Sequence, residues 1–139
     1  MIGEKAILRV RMSAGEAHYA GELVNGSHIL GFWGDIGTEL AIRLHGDESL
    51  LVGYDNIRLF APVYAGDYME YSGWVEKVGN TSFTCHFEAH KYIRLTRNPN
   101  EAISAAEVLK EPILCASAVG TFVVKKEFQR GLQDPKFAR

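Results

Sequence analysis

Residues 27–44 read SHILGFWGDIGTELAIRL. At about 100° per residue, Ile29, Trp33, Ile36, Leu40 and Leu44 fall within one sector roughly 80° wide, as in a helix laid against a core. Asn25 or Ser27 can cap its first turn, and Gly46 stands where a C′ glycine ends a helix. Gly34, Gly37, Thr38 and Ala41 project opposite the large residues, so the helix is predicted to be covered on both sides. A glycine costs roughly 1 kcal/mol relative to alanine inside a helix, so these positions suggest close approach by a backbone or a ligand. Asp35 and Glu39 are spaced i, i+4 at the border of the apolar sector. Arg43 offers Glu39 an ordinary salt bridge at helical spacing. Asp35 has no such partner.

Around this helix the pattern is that of strands. Lys5 to Arg11 alternates Ala6, Leu8 and Val10 with basic residues, predicting a half-buried first strand. MSAGEAHYAGELVNG reads as a loop with at most one helical turn. Ser49 to Ala61 predicts a strand bent near Gly53 and Asp55-Asn56. Pro62 and Gly66-Asp67 make a turn, Asp67 to Val78 is an aromatic-rich strand, and Gly79-Asn80 is a hairpin turn. In Thr81 to Leu95, Phe83, Cys85, Phe87 and Ala89 alternate with Thr84, His86, Glu88 and His90, so one face is covered and the other wetter. Residues 98–112 read as a short helix or a long excursion. Ile113 to Lys125 reads as a central strand buried on both faces, and the polar tail after it as partly mobile. One strand, a long helix and four strands make a two-layer α+β domain spanning residues 1–139.

A length of 139 residues, 47% hydrophobic and 23% charged, is enough to bury a core without staples. A formal charge of −2 lacks the basic stripe of a nucleic-acid binder. Cys85 and Cys115 show no ligand spacing and are expected to be reduced and buried. No signal-peptide core and no run of membrane-spanning length occurs, so the expected location is the cytoplasm, with no membrane partner.

Pro62…Gly66-Asp67 and Val78-Gly79-Asn80-Thr81-Ser82, after one long helix, resemble the connections of the hotdog fold, a curved antiparallel sheet wrapped round a central helix. Narrower runs are Met12-Ser13…Ala17-His18-Tyr19…Gly21…Leu23-Val24-Asn25-Gly26, Trp33-Gly34-Asp35…Gly37-Thr38-Glu39-Leu40, Ala61-Pro62-Val63-Tyr64, Glu76-Lys77-Val78-Gly79-Asn80 and Gln129-Arg130-Gly131. They resemble the CoA-linked ammonia lyases of amino-acid fermentation. The resemblance implies reversible elimination of ammonia from a short β-aminoacyl-CoA to give the 2-enoyl-CoA. Ile103…Pro112 favours 3-aminobutyryl-CoA, giving crotonyl-CoA as in lysine fermentation, and Tyr71…Asn80 favours β-alanyl-CoA; the first is preferred. A short-chain acyl-CoA thioesterase and a non-catalytic CoA-ester-binding module are the alternatives. Against the hydrolase, ungapped matching of the helix puts Gly34, rather than Asp35, where hotdog thioesterases carry their acid.

Such a lyase needs a base for the proton beside the thioester carbonyl, donors for the developing enolate oxygen, and an acidic pocket for ammonium. The helix N-terminus supplies free amides near Gly26 and Ser27. Asp35 is the candidate base and Glu39 the ammonium partner, in roles that could exchange. The resemblance places His18 and Tyr19 beside the thioester, with His18 polarising the carbonyl or shuttling a proton. Asn80, Thr81 and Ser82 are expected to touch the pantetheine arm, and Lys125, Lys126 and Arg130 the CoA phosphates. No metal and no cofactor apart from the substrate's own CoA is implied. A homo-oligomer, a dimer or larger, is implied because hotdog domains pair.

Overall fold

The computed structural model describes residues 2–137. The chain forms β1 (Ile2–Arg11), β2 (Ala17–Tyr19), β3 (Leu23–Val24), α1 (Gly26–His45), β4 (Leu50–Leu59), β5 (Tyr68–Val78), β6 (Ser82–Leu95) and β7 (Ala106–Val123), with short 3-10 turns at Ala14–Glu16, Ala20–Glu22, Lys126–Phe128 and Pro135–Phe137. The large sheet has the antiparallel order β1-β5-β6-β7-β4, while β2 and β3 form a small ribbon. This is the hotdog arrangement: one long helix against a curved antiparallel sheet. No helix among the described residues is long and apolar enough to cross a membrane.

The apolar periodicity of α1 does what it predicts. Ile29, Trp33, Ile36, Leu40 and Leu44 are buried against the sheet. The small residues require a correction, because Gly37 and Ala41 belong to the buried face as well. A β-carbon added at Gly37 would lie 2.0 Å from Cζ of Phe122, so that ring packs directly on the helix backbone. The same economy recurs in the sheet, where Gly73 and Gly120 make room for the Phe87 ring. Phe87 stacks on Trp33 at 5.8 Å and Phe122 on Phe83 at 5.3 Å, forming the aromatic centre of the core. Trp33 also donates its indole N–H to the Glu88 carbonyl at 3.0 Å, so the helix is keyed to β6 by direction as well as area.

The helix ends are built differently. Asn25 holds the N-cap position, but its side chain bonds Ser27 Oγ rather than a free amide. At the other end Gly46 adopts the left-handed conformation at φ 67°, as a C′ glycine should, and donates to Ile42 O at 2.8 Å. The tail then docks on this end. Arg130 N donates to His45 O at 2.8 Å and Gln133 N to Arg43 O at 2.9 Å, so carbonyls that a helix C-terminus leaves unpaired are satisfied by residues expected to be mobile.

Other expectations shift in detail. Residues 12–25 form two 3-10 turns and the β2–β3 ribbon, where a loop with one helical turn was expected. β4, by contrast, is bent where expected, at register shifts after Leu51 and Asp55, with Asn56 at φ 54°. Residues 98–112 make no helix; they turn back and enter β7 at Ala106. β7 lies between β6 and β4, but only one face is deeply buried, with Ala116, Ala118 and Phe122 inside and Ser117, Val119 and Thr121 half-buried. Both cysteines are free and buried, and burial raises both thiols.

Candidate active site

A cleft of about 350 Å³ opens at the N-terminus of α1, lined by Tyr19, Gly26, Ile29, Leu59, Phe60 and Pro62 among others. Its walls come from the β2–β3 ribbon, the first helical turn and the end of β4. Each element exposes apolar groups here: Tyr19 is 56% and Leu59 61% exposed. The helix end at Gly26 brings polar groups to this cleft for a topological reason. The first amides of a helix have no intrahelical acceptor, His28 N is taken by Asn25 O at 3.1 Å, and Gly26 N and Ser27 N find no acceptor among the described residues. Two free N–H groups at the positive end of a 20-residue helix can therefore meet a developing negative charge beside an apolar chain.

The paired carboxylates lie elsewhere. Asp35, Thr38, Glu39, Arg43, Gln133 and Asp134 line a second cleft of about 490 Å³ on the outer side of α1. Glu39 accepts from Arg43 Nε at 2.9 Å, and Arg43 Nη1 reaches Asp134 at 2.5 Å. The Glu39 hydrogen bond, foremost, and Asp134 raise the guanidinium's already high pKa despite some desolvation. Asp35 is exposed and turned away from the sheet, which corrects its expected place at the border of the apolar face. It is nine residues beyond Gly26, about 13.5 Å along the axis and about half a turn round it. One chain therefore does not bring the free amides and the acid pair into one cleft.

Gly34, the residue before Asp35, faces β4. A β-carbon there would lie 3.8 Å from Tyr54 Oη, and Tyr54 donates to Leu30 O at 2.8 Å. Burial, helped by the charge of Asp35, pushes the Tyr54 phenol up to about 12. The helix runs unbroken from Gly26 to His45, so no change of register carries Asp35 into the direction of Gly34.

The remaining candidates divide between the two ends of α1. His18 and Tyr19 are exposed on β2 with their rings edge-to-face at 4.8 Å, and Tyr19 lines the cleft at the helix N-terminus. Asn80, Thr81 and Ser82 turn from β5 into β6 beside the tail: Asn80 O accepts from Gln129 Nε2 at 2.8 Å and Thr81 O from Val124 N at 2.8 Å. Arg130 lies at the helix C-terminus, its Nη1 on Gly46 O at 3.2 Å, and Lys125 sits over the Phe128 ring. No group of three or more potential metal ligands occurs among the described residues.

The sequence reading missed Asp134, which the tail brings to Arg43, and the Glu16–His28 pair. Glu16 Oε2 lies 2.5 Å from His28 Nε2, and Glu16 Oε1 accepts from Ser13 N and Oγ, both at 3.0 Å. The spacing Ser13-x-x-Glu16 is a readable capping-box signal; its long-range partner His28 is not.

Comparison with known proteins agrees with this fold. Residues 21–95 match the Thioesterase superfamily. Over 126 residues, 91% of this chain and 98% of the relative, the sequence is 47% identical to the 3-aminobutyryl-CoA ammonia lyase of Acetoanaerobium sticklandii. The solved structure of β-alanyl-CoA:ammonia lyase from Clostridium propionicum superposes with a TM-score of 0.94 at 47% identity, covering 99% of this chain and 96% of that one. A hexameric thioesterase from Yersinia pestis shares the fold, with a TM-score of 0.73 at 20% identity over 94% of this chain and 96% of that one.

Proposed function

The chain belongs to the thioesterase superfamily, and we propose that within it the protein is an ammonia lyase, reversibly removing ammonia from a short β-aminoacyl-CoA. 3-Aminobutyryl-CoA is the first candidate substrate and β-alanyl-CoA the second. Support comes from two relatives named for these activities, each 47% identical across nearly the whole chain. The observation that carries the chemistry is the pair of free amides, Gly26 N and Ser27 N, in the first turn of α1, where Gly26 lines an apolar cleft.

The thioester oxygen accepts from these amides. A base takes the α-proton, and the C–H electron pair passes into the enolate, whose charge the amides hold. The enolate then collapses, the Cα=Cβ bond forms, and the Cβ–N bond breaks to release ammonia. Donors aimed at charge that develops only during reaction lower the barrier rather than merely tightening binding. Asp35 is the base and Glu39 the acidic partner of the departing ammonium. Gly34, with no side chain beside Tyr54, favours this reading over a hydrolase whose acid would project there.

Because Asp35 lies half a helix from the amides of its own chain, the acid serving each cleft comes from a second copy. β4 ends the sheet order, so one of its edges has free backbone groups, and Leu50 (70% exposed), Val52 and Leu59 are uncovered along it. Pairing two β4 strands buries these residues and places the cleft, whose wall includes Leu59 and Phe60, at the junction. In such a homodimer Asn80, Thr81, Ser82 and Arg130 serve the pantetheine arm and phosphates of CoA.

Crotonyl-CoA and an ammonium salt test the activity: the enoyl absorbance falls with no thiol released, and acrylyl-CoA run in parallel ranks the two substrates. Thiol release from saturated acyl-CoAs without amine addition would overturn the lyase. Asp35→Asn and Gly26→Val each abolish turnover, with Asp35→Asn still binding CoA. Co-expressed one to one, they regain about a quarter of wild-type activity, because half of randomly formed two-fold dimers carry one intact site. Failure to regain any activity would return both halves of the site to one chain.

A further inference from the structure

We infer that Glu16 and His28 form a latch that positions the segment bearing His18 and Tyr19 over the free amides of α1. The inference rests on that cleft being the thioester site.

His28 is the third residue of the helix, about 200° round it from Gly26, so the two project from opposite sides of the first turn. Glu16 grips His28 on one side, and three residues later Tyr19 lines the cleft on the other. Residues 16–19 therefore wrap the helix N-terminus as a strap. Both ends of the strap are fixed. On the cleft side Ala17 pairs with Val24 and Tyr19 with Leu23, and Val24 N donates to Val63 O at 2.8 Å. On the latch side the His28 ring stands edge-on to Phe32 at 4.9 Å, and Phe32 stacks at 4.5 Å on the fully buried Tyr71.

The acid is poised for its task. Burial alone would raise the Glu16 carboxyl, but hydrogen bonds from the Ser13 backbone, His28 and the Ser13 hydroxyl hold it below its ordinary value. The pair is partly solvated, with side chains 34% (His28) and 22% (Glu16) exposed, and exposed ion pairs contribute little to stability. Its effect therefore falls on where the strap lies rather than on whether the chain folds. Tyr19 lines the cleft and meets the substrate there, with His18 edge-on against its ring; Glu16 and His28 are positioning residues that act through this segment.

The test uses the full-length Glu16→Gln and His28→Leu variants. In both, amide hydrogen exchange over residues 13–24 accelerates while exchange in β5–β7 is unchanged. With crotonyl-CoA and ammonium, kcat falls by up to on the order of 10²-fold, the scale of a small misplacement, with KM little moved. His28→Gln, which keeps a side-chain donor, recovers most of the rate, and the double variant is no slower than either single one. Unchanged exchange over 13–24, or faster exchange with unaltered kcat, overturns the latch. If the wild-type protein adds no ammonia to enoyl-CoAs, the lyase reading fails, and the exchange measurement still decides whether the latch holds the strap.

Discussion

Lys91→Met tests how the wall of the cleft is held. Lys91 is 5% exposed and Asp67 1%. Lys91 Nζ lies 2.9 Å from Asp67 Oδ2 and donates to Pro62 O at 2.9 Å, and the same Oδ2 accepts from Tyr64 N at 2.7 Å. One ammonium on β6 thus fastens the segment 60–67, whose residues Ala61, Pro62 and Val63 line the cleft. Methionine keeps the length of the side chain but leaves a buried carboxylate with a backbone amide as its remaining partner. Removing one member of a buried pair costs about 3–5 kcal/mol, a large share of the roughly 5–15 kcal/mol that holds a domain together. For a chain of this length the loss corresponds to a melting temperature lower by about 10–15 °C. Adding Asp67→Asn removes the stranded charge, so the double variant recovers part of the loss, on the order of 1–2 kcal/mol. Urea unfolding at one fixed protein concentration measures both variants, since any self-association would otherwise shift the midpoint. A loss for Lys91→Met below about 1 kcal/mol, the level of a surface pair, would refute the reasoning. So would a double variant less stable than the single one.

Gly37→Ala places a methyl 2.0 Å from the Phe122 ring and forces the helix off β7; a loss of about 1–3 kcal/mol or more is expected, measured by thermal melting. Alanine's higher helix propensity makes stabilisation the contrary result. His45 is held below its ordinary value of 6.5, by burial first and then by the charge of Lys126. Below 6.5 the unfolded chain binds its proton more readily than the folded one, so stability falls as pH drops through that value towards the lower folded pKa. In His45→Asn that part of the pH dependence, followed by urea midpoints between about pH 5 and 7, is flattened.

The readable parts of the fold are those where one period decides the answer. Phe83, Cys85, Phe87 and Ala89 alternate into the core as the sequence predicts, and Ile29 to Leu44 recur at helical spacing on the buried face. The segment 98–112 was unreadable because Pro112 argues against a strand. The strand tolerates it through its pairing: β6 pairs Lys91 with Ile113 and then Ile93 with Val108, so the register shifts across residues 109–112 and Pro112 falls within that irregularity. The continuous apolar run of β7 suggested two covered faces, and one of them is half-open in a single chain. Among candidate site residues, Gly26 and Ser27 follow from a local rule, because a helix N-terminus is visible in sequence, whereas Tyr19 is named by the family resemblance alone. His28's partner, twelve residues earlier, depends on how the strap folds, and no local rule reports that.

The helix itself carries the deeper lesson, because periodicity counts faces and not the neighbours that fill them. Large side chains mark a sector of roughly 80°, yet the buried arc also takes in Gly37 and Ala41, since Phe122 reaches across to occupy the space they leave. Small residues that looked like a second covered side are therefore part of the first. That moves the open side of α1 round to Asp35 and Glu39, and Glu39 is already tied to Arg43. The glycine beside Asp35 faces the strand at the sheet's free edge, and the free amides lie at the helix end bordering that same strand's last residues. A reaction that needs both amides and acid is therefore not served within one cleft of this chain. The helix end that carries the amides thus borders β4, a strand at one edge of the sheet whose Leu50, Val52 and Leu59 stay uncovered among the described residues.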